Sequence, residues 1–324
     1  MRYLSELIDK RRKAVSSEGS VLLDDRDRIR KDNRVNLLAL GDVGGIVLLG
    51  LRLLGGDTLS EIGIYDLNES LMRRYEREIN QVFFPDGRKL PQVRILEEHE
   101  LFDCDMFVFC ASKGVPPVGA SGDVRMAQLE ANSGLISIYA QKAAECGFEG
   151  IFAVVSDPVD PLCKAALMSG LDPRQVQGYG LGVMNGRASY FASKDARFAG
   201  YLDEGRTFGP HGEDLVIADS VKNYDDELSR ELTKLTINSN MDTRADGFKP
   251  YIAPAMSSGA ISLIETLNGG WNYSSVYFGY GSDGAFMGCR NRRTHEGIQV
   301  ENLPLDDMLF QRIVHAYDNL KELL

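Results

Sequence analysis

Apolar and polar positions change period along this chain, and each change marks an element. From residue 35 onward, short apolar runs alternate with longer stretches of mixed pattern. VNLLAL (35–40) predicts a buried strand, and the residues after its glycine turn predict a helix over 44–55. EIGIYD (61–66) predicts a second strand, followed by a helix from about 69 to 83 with Asn68 as its cap. FFPDGRKLP reads as a turn, Val93 to Leu96 as a short strand, and MFVFCA (106–111) as a fully apolar strand. A helix over 123–146 and the strand GIFAVVS (150–156) follow. This spacing predicts a parallel sheet with helices on both faces.

Beyond the turn Gly170-Leu171-Asp172-Pro173 the pattern loses its regularity. Helices are expected over 213–235 and 253–268, and a last one over about 305–323. SSVYFGY (274–280) and GAFMGC (284–289) alternate like paired antiparallel strands. Ahead of the alternation, residues 2–14 predict an amphipathic helix with Leu4, Leu7 and Ile8 on one side. Residues 15–34 are polar and charged and read as an arm, of a kind that can dock on a partner subunit. The expected units are therefore a helix and arm (1–34), a parallel α/β domain (35–165) and an α+β domain (166–324).

The stretch LLALGDVGGIV (37–47) adds chemistry to this pattern. A glycine at 41 lets the backbone approach a pyrophosphate, and one at 44 lets the helix pack close to the strand. The helix start, with Asp42 and Val43, offers unpaired N–H groups to phosphates. Asp66 ends the next strand 22 residues beyond Gly44, where a carboxylate can accept bonds from an adenosine ribose. It would repel a 2'-phosphate, so the expected cofactor is NAD and the fold class is a Rossmann-type parallel sheet. A strict pattern would have glycine at Ala39, and Asp42 puts a negative charge inside the turn.

Composition narrows the partners. The 324 residues are 44% hydrophobic and 26% charged, with a formal net charge of -11. That balance argues against a broad nucleic-acid surface. No stretch approaches the roughly 20 apolar residues of a membrane span. The N-terminus lacks the apolar core of a signal peptide. The five cysteines form no CxxC, which reads as reduced thiols in a cytoplasmic protein. The four histidines and the thiols show no metal-ligand spacing.

Candidate proton and carboxylate chemistry is sparse. His211, in the loop HGED after a glycine-proline turn, can exchange protons near neutrality. His99, His295 and His315 read as surface or helix residues. Arg125 opens a helix after the glycine-rich KGVPPVGASGD, where an arginine can close over an anionic substrate. Arg187, between glycines and aromatics, can grip a carboxylate through two parallel bonds. Asp157 stands at the C-terminal end of an expected parallel strand, where ligands bind in such sheets. Asp160 reads as a cap for the next helix.

Together these stretches resemble the lactate/malate dehydrogenase family. The likeness runs from about Val35 to the C-terminus, through GDVGG with YD, VFCAS, RMAQLEAN, VVSDPVD, GLDPRQVQGYG, GRASYF and GPHGED. The resemblance implies an NAD domain followed by a catalytic domain, and interconversion of a 2-hydroxy acid and its 2-oxo acid. It implies a small carboxylate substrate and a homodimer or homotetramer. By position, Arg125 matches the loop arginine that polarises the carbonyl, and Arg187 the carboxylate clamp. His211 matches the acid-base histidine, Asp66 the ribose acid, and Asn132 the helix asparagine near the cofactor.

Three substrate-pocket positions depart from the family. Its strand asparagine, which touches the substrate oxygen, is Asp157 here. The aspartate partner of the histidine, three residues before the clamp arginine, is Met184. A threonine just before an APA-like segment is Pro250. The loop ahead of Arg125 is about five residues longer and leaves the substrate-selecting side chain unassigned, with Lys113 as a candidate. If Asp157 replaces the missing aspartate, it must reach His211. An NAD(H)-binding pseudoenzyme or regulatory protein is the alternative reading, and a non-redox enzyme using another nucleotide a third.

Overall fold

The computed structural model describes residues 1–8, 15–17, 19–22, 32–113, 124–294 and 297–323. Its elements run β1 (Val15–Ser17), β2 (Ser20–Leu22), β3 (Asn33–Leu38), α1 (Asp42–Leu54), β4 (Leu59–Tyr65), α2 (Glu69–Asn80), β5 (Gln92–Ile95) and β6 (Met106–Phe109). They continue through α3 (Val124–Glu145), β7 (Ile151–Val154), α4 (Val159–Met168), β8 (Val176–Gly178), α5 (Leu181–Ala192), α6 (Tyr201–Glu204), β9 (Arg206–Phe208), β10 (Val216–Ala218), α7 (Asp226–Asn238) and α8 (Asn240–Ala245). A π-helical turn, Pro254–Ile261, leads into α9 (Ser262–Asn268), and β11 (Asn272–Tyr280), β12 (Asp283–Thr294), β13 (Gly297–Glu301) and α10 (Asp307–Glu322) complete the chain.

The strands β5-β4-β3-β6-β7-β8 are parallel. In register, Tyr65, Leu38, Phe109, Val154 and Gly178 form one row across them. The next residues of each strand therefore emerge along one edge of the sheet, where α/β folds bind their ligands. Apolar clusters cover both faces. One is built on Val35, Val47, Leu51 and Ile62, the other on Phe107, Phe109, Phe152 and Ile136. At β8 the direction changes. Ser275 of β11 pairs antiparallel with Gly178, and β12, β13, β2 and β1 extend the same sheet. The mixed mostly-parallel sheet followed by an α+β region is the expected architecture.

Three local expectations are corrected. The helix expected over 213–235 is shorter: α7 starts at Asp226, where Asp225 caps it by accepting the N–H groups of Glu227 and Leu228. Ahead of it, Val216–Ala218 is strand β10, wholly buried and paired antiparallel with β9. A three-residue apolar run has no room to show its period, so a neighbouring strand decides its state. The polar arm contributes β1 and β2, and β2 pairs with β13. The expected first helix is a 3-10 turn at Leu4–Leu7, with residues 9–14 outside the described ones. Leu4, Ile8 and Val21 pack into the core beneath α10, so these parts of the N-terminus dock on their own chain.

Candidate active site

The glycine turn stands at the sheet edge, between β3 and α1. Ala39 holds φ at 74°, the left-handed conformation that glycine adopts freely. The turn thus keeps the glycine geometry at the place where the strict pattern has a glycine, at a cost of about 1–2 kcal/mol. Gly44 has no alternative: a Cβ there would lie 1.9 Å from the Ala39 carbonyl oxygen. Gly41 is the opposite case, with nothing within 4 Å of an added Cβ. The space above Gly41 is open for a phosphate, and the helix N-terminus behind it faces that space. Asp66 accepts the N–H of Leu40 at 2.7 Å and that of Asn68 at 2.8 Å, which fixes its carboxylate beside the turn. Each oxygen keeps a lone pair for a ribose hydroxyl. Lys249 reaches over from the second half of the chain, its Nζ 4.0 Å from Asp42 Oδ2. That ammonium offsets the charge Asp42 brings into the turn, though both groups are exposed and the pair is weak.

A cluster around His211 lies further along the same edge. Asp157 follows β7 by three residues. Beneath it, the fully buried Asn132 of α3 donates to the Asp157 carbonyl at 2.8 Å and accepts the Lys113 N–H at 3.0 Å. Asn132 therefore ties the end of β7 to the start of the loop after β6. His211 sits in the turn after β9, which is pinned by the bridge between Gly209 and Gly288 of β12. Its Cβ lies against Gly180, where an added Cβ would come within 2.9 Å of it.

His211 Nδ1 is 2.9 Å from Asp157 Oδ1. A carboxylate only accepts, so this bond places the proton of the neutral ring on Nδ1. Nε2 is left as the nitrogen that exchanges a proton. The Asp157 side chain is 51% exposed while that of His211 is 17% exposed. Burial works against ionising Asp157. The charge of His211, its ring bond and the charge of Arg187 together outweigh burial and hold the carboxyl below its ordinary value.

Arg187, on α5, is buried. Its Nη1 meets Met184 Sδ at 3.4 Å and its Nη2 donates to Asn240 Oδ1 at 2.5 Å. Burial lowers its pKa and Asp157 opposes that shift. Met184 is buried against this guanidinium, so the acid beside both Arg187 and His211 comes from the segment after β7 and not from α5. Ser258, in the π-helical turn, holds the start of α5 by accepting the Val183 N–H and donating to the Gly180 carbonyl, both at 2.8 Å.

The structure thus brings together Asp157, His211, Arg187 and Met184. The turn residues Gly41, Asp42, Val43, Gly44 and Asp66 form a second group. Half-buried Pro250 adjoins Lys249, which faces that turn. Arg125 lies in the first turn of α3, and its side chain, like His295, falls outside the described residues. His315 is on α10, where its Nε2 lies 3.3 Å from the Asn319 amide, and His99 is exposed. Asn240, Ser258 and Lys249 had no signal in the sequence. Gly180 stood in a visible glycine cluster, but its contact with His211 did not. Two cavities, of about 350 and 780 Å³, lie away from both groups, one between α7 and α10 and one at the opposite end of the parallel strands. Among the described residues no cluster suits a metal ion, and no helix is long and apolar enough to cross a membrane.

The parallel sheet with its glycine turn, joined to an antiparallel region carrying the histidine, defines a Rossmann-type nucleotide domain fused to an α+β domain. No family model matches the chain. It is 25% identical over 322 residues to L-lactate dehydrogenase 1 of Peribacillus psychrosaccharolyticus, covering 91% of this chain and 97% of the relative. An L-lactate dehydrogenase of Treponema denticola is 30% identical over 186 residues, 56% of each chain. Among solved structures, a lactate dehydrogenase from a Medee basin deep-sea metagenome library superposes with a TM-score of 0.73 at 18% identity, covering 90% of this chain and 98% of that one. The malate dehydrogenase of Archaeoglobus fulgidus superposes with a TM-score of 0.73 at 17% identity, covering 89% and 97%. The chain is thus similar over most of its length to lactate dehydrogenases and shares the fold of solved lactate and malate dehydrogenases.

Proposed function

We propose that this protein is an NAD-dependent oxidoreductase that interconverts a small 2-hydroxy acid and its 2-oxo acid. The observation that carries this reading is the 2.9 Å bond between Asp157 and His211, which gives the histidine a carboxylate partner although α5 offers only Met184. Gly41, Asp42, Val43, Gly44, Asp66 and Asn132 would hold NAD, which when bound supplies the hydride acceptor or donor. The nucleotide-binding unit is residues 35–165 and the catalytic unit 166–324.

In the oxidative direction, Nε2 of His211 takes the hydroxyl proton. Asp157 stabilises the resulting imidazolium through Nδ1 and holds the ring in the tautomer that leaves Nε2 free. In reduction the same proton returns to the oxygen at C2. Arg187 binds the substrate carboxylate, exchanging Asn240 or supplementing it, and Arg125, at the start of α3, closes over the reacting oxygen. These donors raise the rate only as far as they meet charge that grows in the transition state. Such a site takes a small anionic carboxylate in a cytoplasmic homodimer or homotetramer.

NADH consumption against a panel of 2-oxo acids tests the proposal. His211→Asn should then lower kcat roughly 100- to 10,000-fold with NADH affinity retained. Saturable NADH binding without turnover of any 2-oxo acid would sink it. That outcome is the second reading, a pseudoenzyme, which is favoured by the engagement of Arg187 with Asn240 and by the neutral Met184 beside it.

A further inference from the structure

Arg187 is buried without an acid bonded to it. Only 8% of the residue is exposed, and among the described residues no carboxylate forms an ion pair with its guanidinium. Its bonded neighbours are the Met184 thioether and the Asn240 amide, both neutral. Asp157 acts on it only as a charge. Taking a guanidinium out of water is costly, and a carboxylate ordinarily offsets that cost. Neutral partners leave much of the charge to be met by a bound anion.

Helix packing sets the place of Asn240. Met184, Ala188 and Phe191 of α5 share one apolar cluster with Leu228, Leu232 and Leu235 of α7. Arg187 lies three residues after Met184, on the same stripe of α5. α7 ends at Asn238 and α8 begins at Asn240, with Ser239 between them in helical conformation. The half-buried Asn240 side chain is thereby brought to the guanidinium. An arginine only donates, so the atom that meets its Nη2 at 2.5 Å is the amide oxygen. The Nδ2 beside that oxygen keeps two N–H donors, and among the described residues it bonds nothing.

We propose that Asn240 is a substrate-binding residue, its Nδ2 donating to the same carboxylate that Arg187 binds. The role rests on the function proposed above and gives the acid group of its substrate a two-sided seat. One carboxylate oxygen takes a charged bond from the guanidinium, and the other takes a neutral bond from the amide. The bond from Arg187 to the Asn240 oxygen stays in place, fixes which way the amide points, and polarises its N–H groups toward stronger donation. Asn240 thus adds to the clamp and does not compete for it. The seat selects an ionised carboxylate, which offers an acceptor to both donors. An amide in its place would turn an NH2 group toward one of them and leave that donor unpaired. Two other roles predict different results. An Asn240 that only competed for Arg187 would weaken substrate binding, and one that only oriented the guanidinium would need no more than its oxygen.

The test compares Asn240→Ala and Asn240→Asp in the full-length chain. Asn240→Ala should raise KM for a 2-oxo acid that the unmutated protein reduces by about tenfold or more, with kcat within about threefold, because a bond made alike in ground and transition states is lost. Asn240→Asp keeps an acceptor for Arg187 but has no donor and repels the substrate, so KM should rise about 100-fold or more. NADH affinity, read by fluorescence titration, should stay near that of the unmutated chain in both. Oxalate, which carries the carboxylate but accepts no hydride, gives a second readout. Its stabilisation of the NADH-bound protein in a thermal melt should be smaller in Asn240→Ala and smallest in Asn240→Asp. A KM unchanged or lowered in Asn240→Ala overturns the proposal, as does an Asn240→Asp variant that binds substrate like the unmutated chain. A protein that reduces no 2-oxo acid defeats the proposed function, and the oxalate melts then decide the role of Asn240. No stabilisation of the unmutated protein, or equal stabilisation of Asn240→Ala, overturns it.

Discussion

The nucleotide turn and the acid-base cluster share one edge of one sheet, yet they are assembled in opposite ways. The turn is built from residues 39–44 and a carboxylate just past the adjacent strand of the same βαβ unit, with Lys249 reaching it from the second half. The cluster draws Asp157, Arg187, His211 and Asn240 from four separate segments. The difference shows in how each accommodates change. In the turn, Gly44 cannot vary, because a backbone oxygen occupies the place of its side chain, and Ala39 survives only by taking up the strained glycine conformation. In the cluster a group can change its origin. By the resemblance an aspartate is expected on α5; here the carboxylate that reaches the imidazole is Asp157, from the loop after β7. A site made of side chains that converge from several directions preserves its charges more readily than its addresses.

The strongest way to break this comparison is to mutate the turn. Gly44→Ala should abolish NADH binding or leave the chain unfolded, whereas Gly41→Ala should keep the melting temperature and lose only affinity. Fluorescence titration with NADH and a thermal melt read both, and equal damage from the two would refute the contrast.

Next in size is the cluster. Asp157→Asn should lower kcat/KM roughly 10- to 100-fold, as expected when the partner of a functional histidine is removed, even though asparagine restores the family residue. Met184→Asp added to that background should recover part of the loss, because the imidazole regains an acid from its usual side. The two changes are therefore non-additive. The Asp157 carboxyl is held below its ordinary value, so its support is fully present above the usual carboxylate range. It is lost only as pH falls below that range. Steady-state kinetics from acid to neutral pH check the sign, and strictly additive effects would show that the acid has not moved.

Asp66→Ala should weaken NADH about tenfold, close to 1.4 kcal/mol, and narrow its advantage over NADPH. Tighter binding of NADPH by the unmutated protein would overturn the NAD assignment. The smallest effect concerns stability. The Asp160 carboxyl rises from an ordinary 3.8 to about 7 on folding. Between those values the native chain binds the extra proton, so its stability falls as pH rises through that window, by at most about 1.4 kcal/mol per pH unit. Asp160→Asn should flatten that slope in thermal melts between about pH 5 and 7, and a slope left unchanged would place the proton elsewhere.

Much of the first half was legible because its signals are local. The strand-turn-helix of 35–55 has its period, its glycines and its acid within one βαβ unit, and Asn68 caps α2 by accepting the Leu71 N–H as its position suggests. The second half was read less well. The run at 216–218 is too short to show a period, and its burial beside β9 makes it a strand. The polar residues before 35 carry no apolar periodicity, yet β2 completes hydrogen bonds that β13 would otherwise leave open.

What the sequence determined by itself was the class of fold and the strand-turn-helix at 35–55 with Asp66 beside it, and it singled out His211 and Arg187 as candidates. It also showed that one acid was missing at Met184 and another had been added at Asp157. Only the tertiary structure decided that Asp157 reaches His211, because that depends on a distance between residues 54 positions apart in the chain. The same holds for Asn240 on Arg187 and Lys249 over Asp42. Periodicity and turn chemistry act over a few residues and leave a trace in the order of the letters. Hydrogen bonds and charge between distant segments act over a few ångströms, and their partners are chosen only when the sheet brings the strand ends together.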